Sequence, residues 1–155
     1  MDVYARMKEL GLELGKPTQA GGIYSPVRFY GEKMVYTSGT GGVIEGLLDK
    51  TGRVGKDLTL EEGQEMARRC AMNLLSNLNA AIGDLNRIKK VVKMLVFVNS
   101  ADDFFQQPMV ANGASKLILD VFGEEAGLPA RSAIGVNVLP GNIPVEIELL
   151  LELKE

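Results

Sequence analysis

Leu128-Pro129-Ala130-Arg131-Ser132-Ala133-Ile134-Gly135-Val136-Asn137-Val138-Leu139-Pro140 alternates with a period of two. Successive side chains of a strand point to opposite sides, so Ser132, Ile134, Val136 and Val138 share one face, and Arg131, Ala133, Gly135 and Asn137 share the other. The second face sets one arginine among very small residues. Small neighbours leave a hollow over a sheet, and a guanidinium beside a hollow can offer its fork of donors to a planar carboxylate. Taken alone, the pattern suits at least as well an arginine whose stem lies on the sheet while its head reaches solvent or a glutamate.

Downstream, Val145, Ile147, Leu149, Leu151 and Leu153 alternate with Glu146, Glu148, Leu150 and Glu152, a second strand with an apolar side. A hairpin about Gly141-Asn142 would set Asn137 opposite Glu146 and leave roughly 20 Å between Arg131 and that glutamate; non-adjacent strands or a shifted register are the alternatives. Upstream, Val91 to Val98 is nearly continuous in apolar, largely β-branched residues, as a central strand requires.

Two long helices flank that strand in sequence. Thr59 and Glu62 have capping-box spacing, Ala67, Cys70, Ala71, Leu74, Leu78, Ala81 and Ile82 recur on one face, and Gly83 supplies the C-terminal cap, giving about six turns. Pro108 opens the next helix, Ala114, Leu117, Ile118, Val121 and Phe122 form its stripe, and Gly123 ends it; Lys116 and Asp120 pair on its solvent side. Val27 to Tyr30 and Lys33 to Ser38 read as a hairpin turning at Gly31-Glu32. A short helix over residues 2–10 precedes it. Gly39 to Gly55 is a glycine-rich loop, but no Lys-Ser or Lys-Thr follows at phosphate-loop spacing and no G-x-G-x-x-G opens a helix.

This order predicts a two-layer α+β fold over one domain, residues 1–155, with residues 1–14 as an N-terminal helical extension. Both long helices are expected on one face of a mixed sheet. Arg131, Ala133, Glu146 and Leu150 would then point out from the other face, where an exposed Leu150 suggests cover by a second subunit.

Composition narrows the chemistry. The chain has 155 residues, a net charge of −3 and no histidine. Its charge and the absence of a cationic run argue against nucleic-acid partners, and no apolar run reaches the roughly 20 residues of a membrane span. The lack of histidine removes Ser-His-Asp and Cys-His catalysis and the usual zinc and iron sites. Cys70, the single cysteine, lies in an apolar helix stripe and reads as packing. With no secretory signal at its start, the chain is expected in the cytoplasm. Arginine, carboxylates, tyrosine, hydroxyls and backbone groups remain, a set suited to a substrate that is already reactive.

Gly22-Ile23-Tyr24-Ser25-Pro26, Tyr36-Thr37-Ser38-Gly39, the helix end from Asn73-Leu74 to Gly83, Val91-Val92-Lys93 followed by Asp103-Phe104, Pro129-Ala130-Arg131-Ser132-Ala133, and Leu139-Pro140 followed by Val145-Glu146-Ile147-Glu148 occur in the order found in the RidA/YjgF/YER057c/UK114 family, which the chain resembles over residues 20–153. The N-terminal helix and Asn112-Gly113-Ala114-Ser115 are similar to its longer YjgF-like, endoribonuclease L-PSP-like subgroup. The resemblance implies a chorismate-mutase-like fold, a homotrimer whose sheets face a central barrel, and clefts between subunits that bind small 2-imino or 2-oxo carboxylates. It implies a hydrolase acting on C–N bonds, of the 2-iminobutanoate/2-iminopropanoate deaminase type, that uses no cofactor or metal. Arg131 would hold the substrate carboxylate and Glu146 would act through a water, as the catalytic pair. Tyr24, Gly39, Ser132 and Ala133 would complete the substrate site. A binding or regulatory module without catalysis is the alternative, and the subgroup's label adds a ribonuclease or translation inhibitor. Thr40 stands where many members have glutamine, Ala133 where the RidA type has cysteine, and Asn112, Ser115 or Lys116 near the place of a helix asparagine.

Overall fold

Thr59 caps the longest helix as its spacing requires: its side chain accepts from the Glu62 backbone N–H, and the Glu62 carboxylate accepts from that of Thr59. In a computed structural model, which describes residues 1–154, this helix (α2) runs Leu60–Ile82 and ends on Gly83 at φ 81°, a left-handed cap that glycine adopts without steric cost. The other helices are α1, Val3–Glu9, capped by Asp2, and α3, Gln107–Gly127. The strands are β1 Val27–Tyr30, β2 Met34–Thr37, β3 Thr40–Gly41, β4 Ile88–Asn99, β5 Ala130–Val136 and β6 Val145–Leu153.

The sheet order is β1-β2-β6-β4-β5, with β3 also on β6. β4 is an interior strand, between β6 and the edge strand β5, while β6 holds the middle of the sheet, and α2 and α3 lie together on one face. The core falls between the layers: Met66, Leu74, Leu75 and Leu78 of α2 and Ile118 of α3 meet Met94, Ile147, Leu149 and Leu151, all essentially inaccessible. Along β6 every second residue from Val145 to Leu153 is buried, while Glu146, Glu148, Leu150 and Glu152 are only partly covered, so the other face of the sheet carries no helix.

One open choice closes and two expectations change. The closing strands are non-adjacent, the alternative to a hairpin: β5 pairs in parallel with β4, and β6 pairs antiparallel with β4 on its other side. Parallel neighbours need a crossover, and α3 supplies it, so β4-α3-β5 is a βαβ unit that forces β6 across to the far edge of β4. Asn99 at the end of β4 holds the crossing chain, its amide donating to Asn142 Oδ1 and Ile143 O (both 3.2 Å) and its N–H to Pro144 O (2.9 Å). Of the two expectations, first, α3 does not stop at Gly123; that residue breaks the helix at φ 77°, and a last turn reaches Gly127. Second, the hairpin loop holds three residues rather than two, since Tyr30 pairs with Met34 around Gly31 at φ 58°.

α1 is tied down by polar contacts. Tyr4 Oη donates to Asn79 Oδ1 (2.7 Å) and accepts from Leu85 N–H (2.9 Å), and Arg6 Nε donates to Asp120 O (2.9 Å). Among the described residues no helix is long and apolar enough to cross a membrane.

Candidate functional site

The register of β5 on β4 decides where Arg131 points. Arg131 stands beside Met94, which stands beside Leu149, and cross-strand neighbours share a face. Met94 and Leu149 are core residues, so Arg131 lies on the helix face, against the expectation that it would point from the bare face with Glu146. Ala133 follows it, packed against the core, and a Cβ on Gly135 would lie 2.8 Å from both Gln107 Nε2 and Ser100 Oγ. These residues are small because the start of α3 closes on them, and they are not the floor of an open hollow.

Around Arg131 the first turns of α3 converge. Nη1 donates to Asn112 Oδ1 (2.8 Å) and Ser115 Oγ (2.9 Å), and Nη2 donates to Pro108 O (3.2 Å). A guanidinium has five N–H donors, and these bonds engage three. The remaining two are Nε–H and one hydrogen of Nη2, donors of the kind that bind a carboxylate. Of the three α3 residues named from sequence, Asn112 and Ser115, one turn apart, both reach Arg131, while Lys116 pairs with Asp120 at 2.7 Å. Position on the helix was the available signal, since Asn112 and Ser115 share a face.

Glu146 builds a second, separate locus. It stands beside Phe97, which stands beside Ile134, on the helix-free face. Gly39 lies directly against it: a Cβ there would come within 2.8 Å of the Glu146 carboxyl carbon and would push that carboxylate aside. Ser38 Oγ donates to Ser25 O (2.7 Å) and its N–H to Pro26 O (2.8 Å), which ties the Tyr24 segment to the same corner. Tyr24 is half-exposed, its hydroxyl accepting from Gly21 N–H at 3.0 Å. Burial first, and then the charge of Glu148, holds the Glu146 carboxyl above the usual carboxylate range. Glu148 itself accepts from Tyr36 Oη at 2.5 Å.

Ser132 belongs with neither Arg131 nor Ala133. It faces the bare side, where its hydroxyl accepts from Lys93 Nζ at 2.7 Å. The six residues singled out from sequence therefore form two clusters at different corners of the sheet, with Ser132 between them. Cys70 is fully buried and its thiol is pushed far above the usual range by desolvation, which leaves it inert. No cluster of three or more metal-ligating side chains occurs among the described residues.

The chain is similar to known proteins over nearly its whole length. Residues 4–153 match the family described as "YjgF/chorismate_mutase-like, putative endoribonuclease". Protein TCP17 of Trypanosoma cruzi is 55% identical over 103 residues, 66% of this chain and 64% of that protein, so the match spans less than two thirds of the curated relative. A structure from Shewanella oneidensis bearing the same endoribonuclease label is 32% identical, with a TM-score of 0.94 over 99% of this chain and 100% of that one. The fold also matches that of E. coli TdcF, solved with bound serine, at 23% identity and a TM-score of 0.63 over 92% and 94% of the two chains. Sequence and architecture agree, and the chain belongs to the YjgF/RidA family of chorismate-mutase-like α+β proteins.

Proposed function

We propose that this protein is a cofactor-independent deaminase that hydrolyses 2-aminoacrylate-type enamines and imines to 2-oxo acids and ammonia, in clefts between the subunits of a homotrimer. The observation that carries the reading is the Arg131 guanidinium, fixed in place by Asn112, Ser115 and Pro108 O, with Nε–H and one Nη2 hydrogen left over for a ligand carboxylate. The serine in TdcF, a small amino acid, is in keeping with a ligand of this kind.

Arg131 and Glu146 of one chain cannot share a small ligand, because the sheet lies between them. In a trimer with the bare faces turned inward, the Arg131 corner of one subunit meets the Tyr24, Gly39 and Glu146 corner of the next. Apolar side chains left open on that face, Tyr36 and Ile134 among them, give such an assembly something to bury.

Chemically, Arg131 holds the carboxylate and orients the C=N carbon. An enamine first takes a proton at its terminal carbon to become the imine. Water then adds to the C=N carbon, its hydrogens going to nitrogen and to the acid–base group, and the carbinolamine expels ammonia as the C–N bond breaks and C=O forms. Glu146, whose proton affinity burial and Glu148 raise, passes the proton through water in both directions. Much of the driving force belongs to the substrate, so positioning is enough.

The test is pyruvate formation from freshly generated 2-aminoacrylate, with wild type and Arg131→Ala side by side. A wild-type rate equal to that of buffer removes the deaminase reading for this substrate, and carboxylate binding without ammonia release leaves a binding module. The acidic charge and the lack of histidine give no support to the ribonuclease label.

A further inference from the structure

A sizeable cleft lies on the opposite side from the sheet's bare face. It has a volume of about 810 Å³ and lies between the segment that follows α1, the first half of α2 and the middle of α3. Leu10, Leu12, Leu119 and Leu128 are among its apolar lining, and Arg68 of α2 and Lys116 of α3 are its cations. The volume falls in the range of small-molecule sites, which are mostly apolar with a few placed polar groups.

Arg68 is what distinguishes this cleft from a chance groove. It is half-buried, and among the described residues its guanidinium has no hydrogen bond or ion pair. The neighbouring charges are already used: Glu65 is held by Arg69 (3.2 Å) and Asp120 by Lys116 (2.7 Å). Gln64 gives its amide to Met109 O (2.8 Å). Glu61, exposed at the rim, is the remaining carboxylate. A partly desolvated guanidinium left over beside apolar walls is complementary to an anion with an apolar body. With Glu61, Glu65 and Asp120 close by, a doubly charged head would meet repulsion that a single charge largely avoids.

We infer that this cleft is a second ligand site, for an amphipathic monocarboxylate whose head pairs with Arg68 and whose chain lies against Leu10, Leu12, Leu119 and Leu128. Two of those leucines come from the N-terminal segment, which gives α1 a role: its anchoring by Tyr4 and Arg6 sets one wall of the cleft. Asn112 and Ser115 line the far end, so the same turns of α3 face this cleft and fix Arg131.

Titration calorimetry of the full-length protein with decanoate, below its micellar concentration, tests the inference. Saturable binding at one per chain is expected. Arg68→Gln should weaken it about tenfold or more, the loss of one charge-assisted contact, with Arg68→Lys in between. Decyl phosphate should bind less tightly than decanoate. Arg131→Ala should stay within about twofold of wild type, which separates this site from the proposed deaminase cleft. Absence of saturable binding, equal affinity in Arg68→Gln, tighter binding of decyl phosphate, or loss of binding in Arg131→Ala would each overturn it.

Discussion

Arg131 and Glu146 point to opposite faces of one sheet, with β4 between their strands: Arg131 aligns with Met94 and Leu149, Glu146 with Phe97 and Ile134. Two strand spacings across and three residues along put their Cα atoms roughly 14 Å apart. If the pair acts on one substrate, the two residues come from different subunits.

That relationship can be tested by complementation. Arg131→Ala and Glu146→Gln should each lose about a hundredfold or more in deaminase rate. Co-refolded in equal amounts, they should recover about a quarter of wild-type activity, because random assembly gives that share of clefts both native residues. No recovery in mixtures shown to contain both chains would place the two residues in one subunit's site or remove one of them from it.

Glu146 gives a pH prediction. Its native pKa is raised above the ordinary value near 4.5 by burial and by Glu148, so the native state keeps a proton that the unfolded chain has released. Stability therefore falls as pH rises from about that ordinary value through the raised one, and the cost persists above it. Glu146→Gln removes this cost. Its melting temperature should exceed wild type by about 1–3 °C at pH 7, with the gain fading toward pH 4. An equal gain at both pH values would contradict the burial argument.

Asn112 and Ser115 hold Arg131, so on the proposed function they act on the substrate through it. Asn112→Ala should raise KM for the imine about tenfold with a smaller change in kcat, and Ser115→Ala should do the same more weakly, since Pro108 O and the other side chain still hold the fork. A fall in kcat at constant KM in both variants would instead give them a part in the chemical step.

Gly113 marks the closest approach of α2 and α3. A Cβ there would lie 2.7 Å from the Gln64 carbonyl carbon and 3.0 Å from its Cα, backbone atoms that move only with the helix. Gly113→Ala should cost about 1–3 kcal/mol in denaturant unfolding despite alanine's better helix propensity. A stabilised variant would show that the helices separate freely.

Much of this protein was legible before folding, wherever the information is local. The Thr59–Glu62 box and Gly83 delimit α2, alternation marks β6, and the apolar run from Val91 to Val98 marks an interior strand, because caps and periodicity act over a few residues. Six short segments in order pointed to the family and, through it, to Arg131, Glu146, Tyr24 and Gly39. What the sequence could not determine was strand partnership. Alternation shows that Arg131 and Ile134 oppose each other but not which of them faces the helices. That depends on β5 pairing in parallel with β4 instead of folding back on β6, a choice made by the packing of α3, whose first turns come down on Arg131. A one-residue change of parity moves every side chain of a strand to the other face, so tertiary pairing alone decided that the arginine and the glutamate part company within the chain.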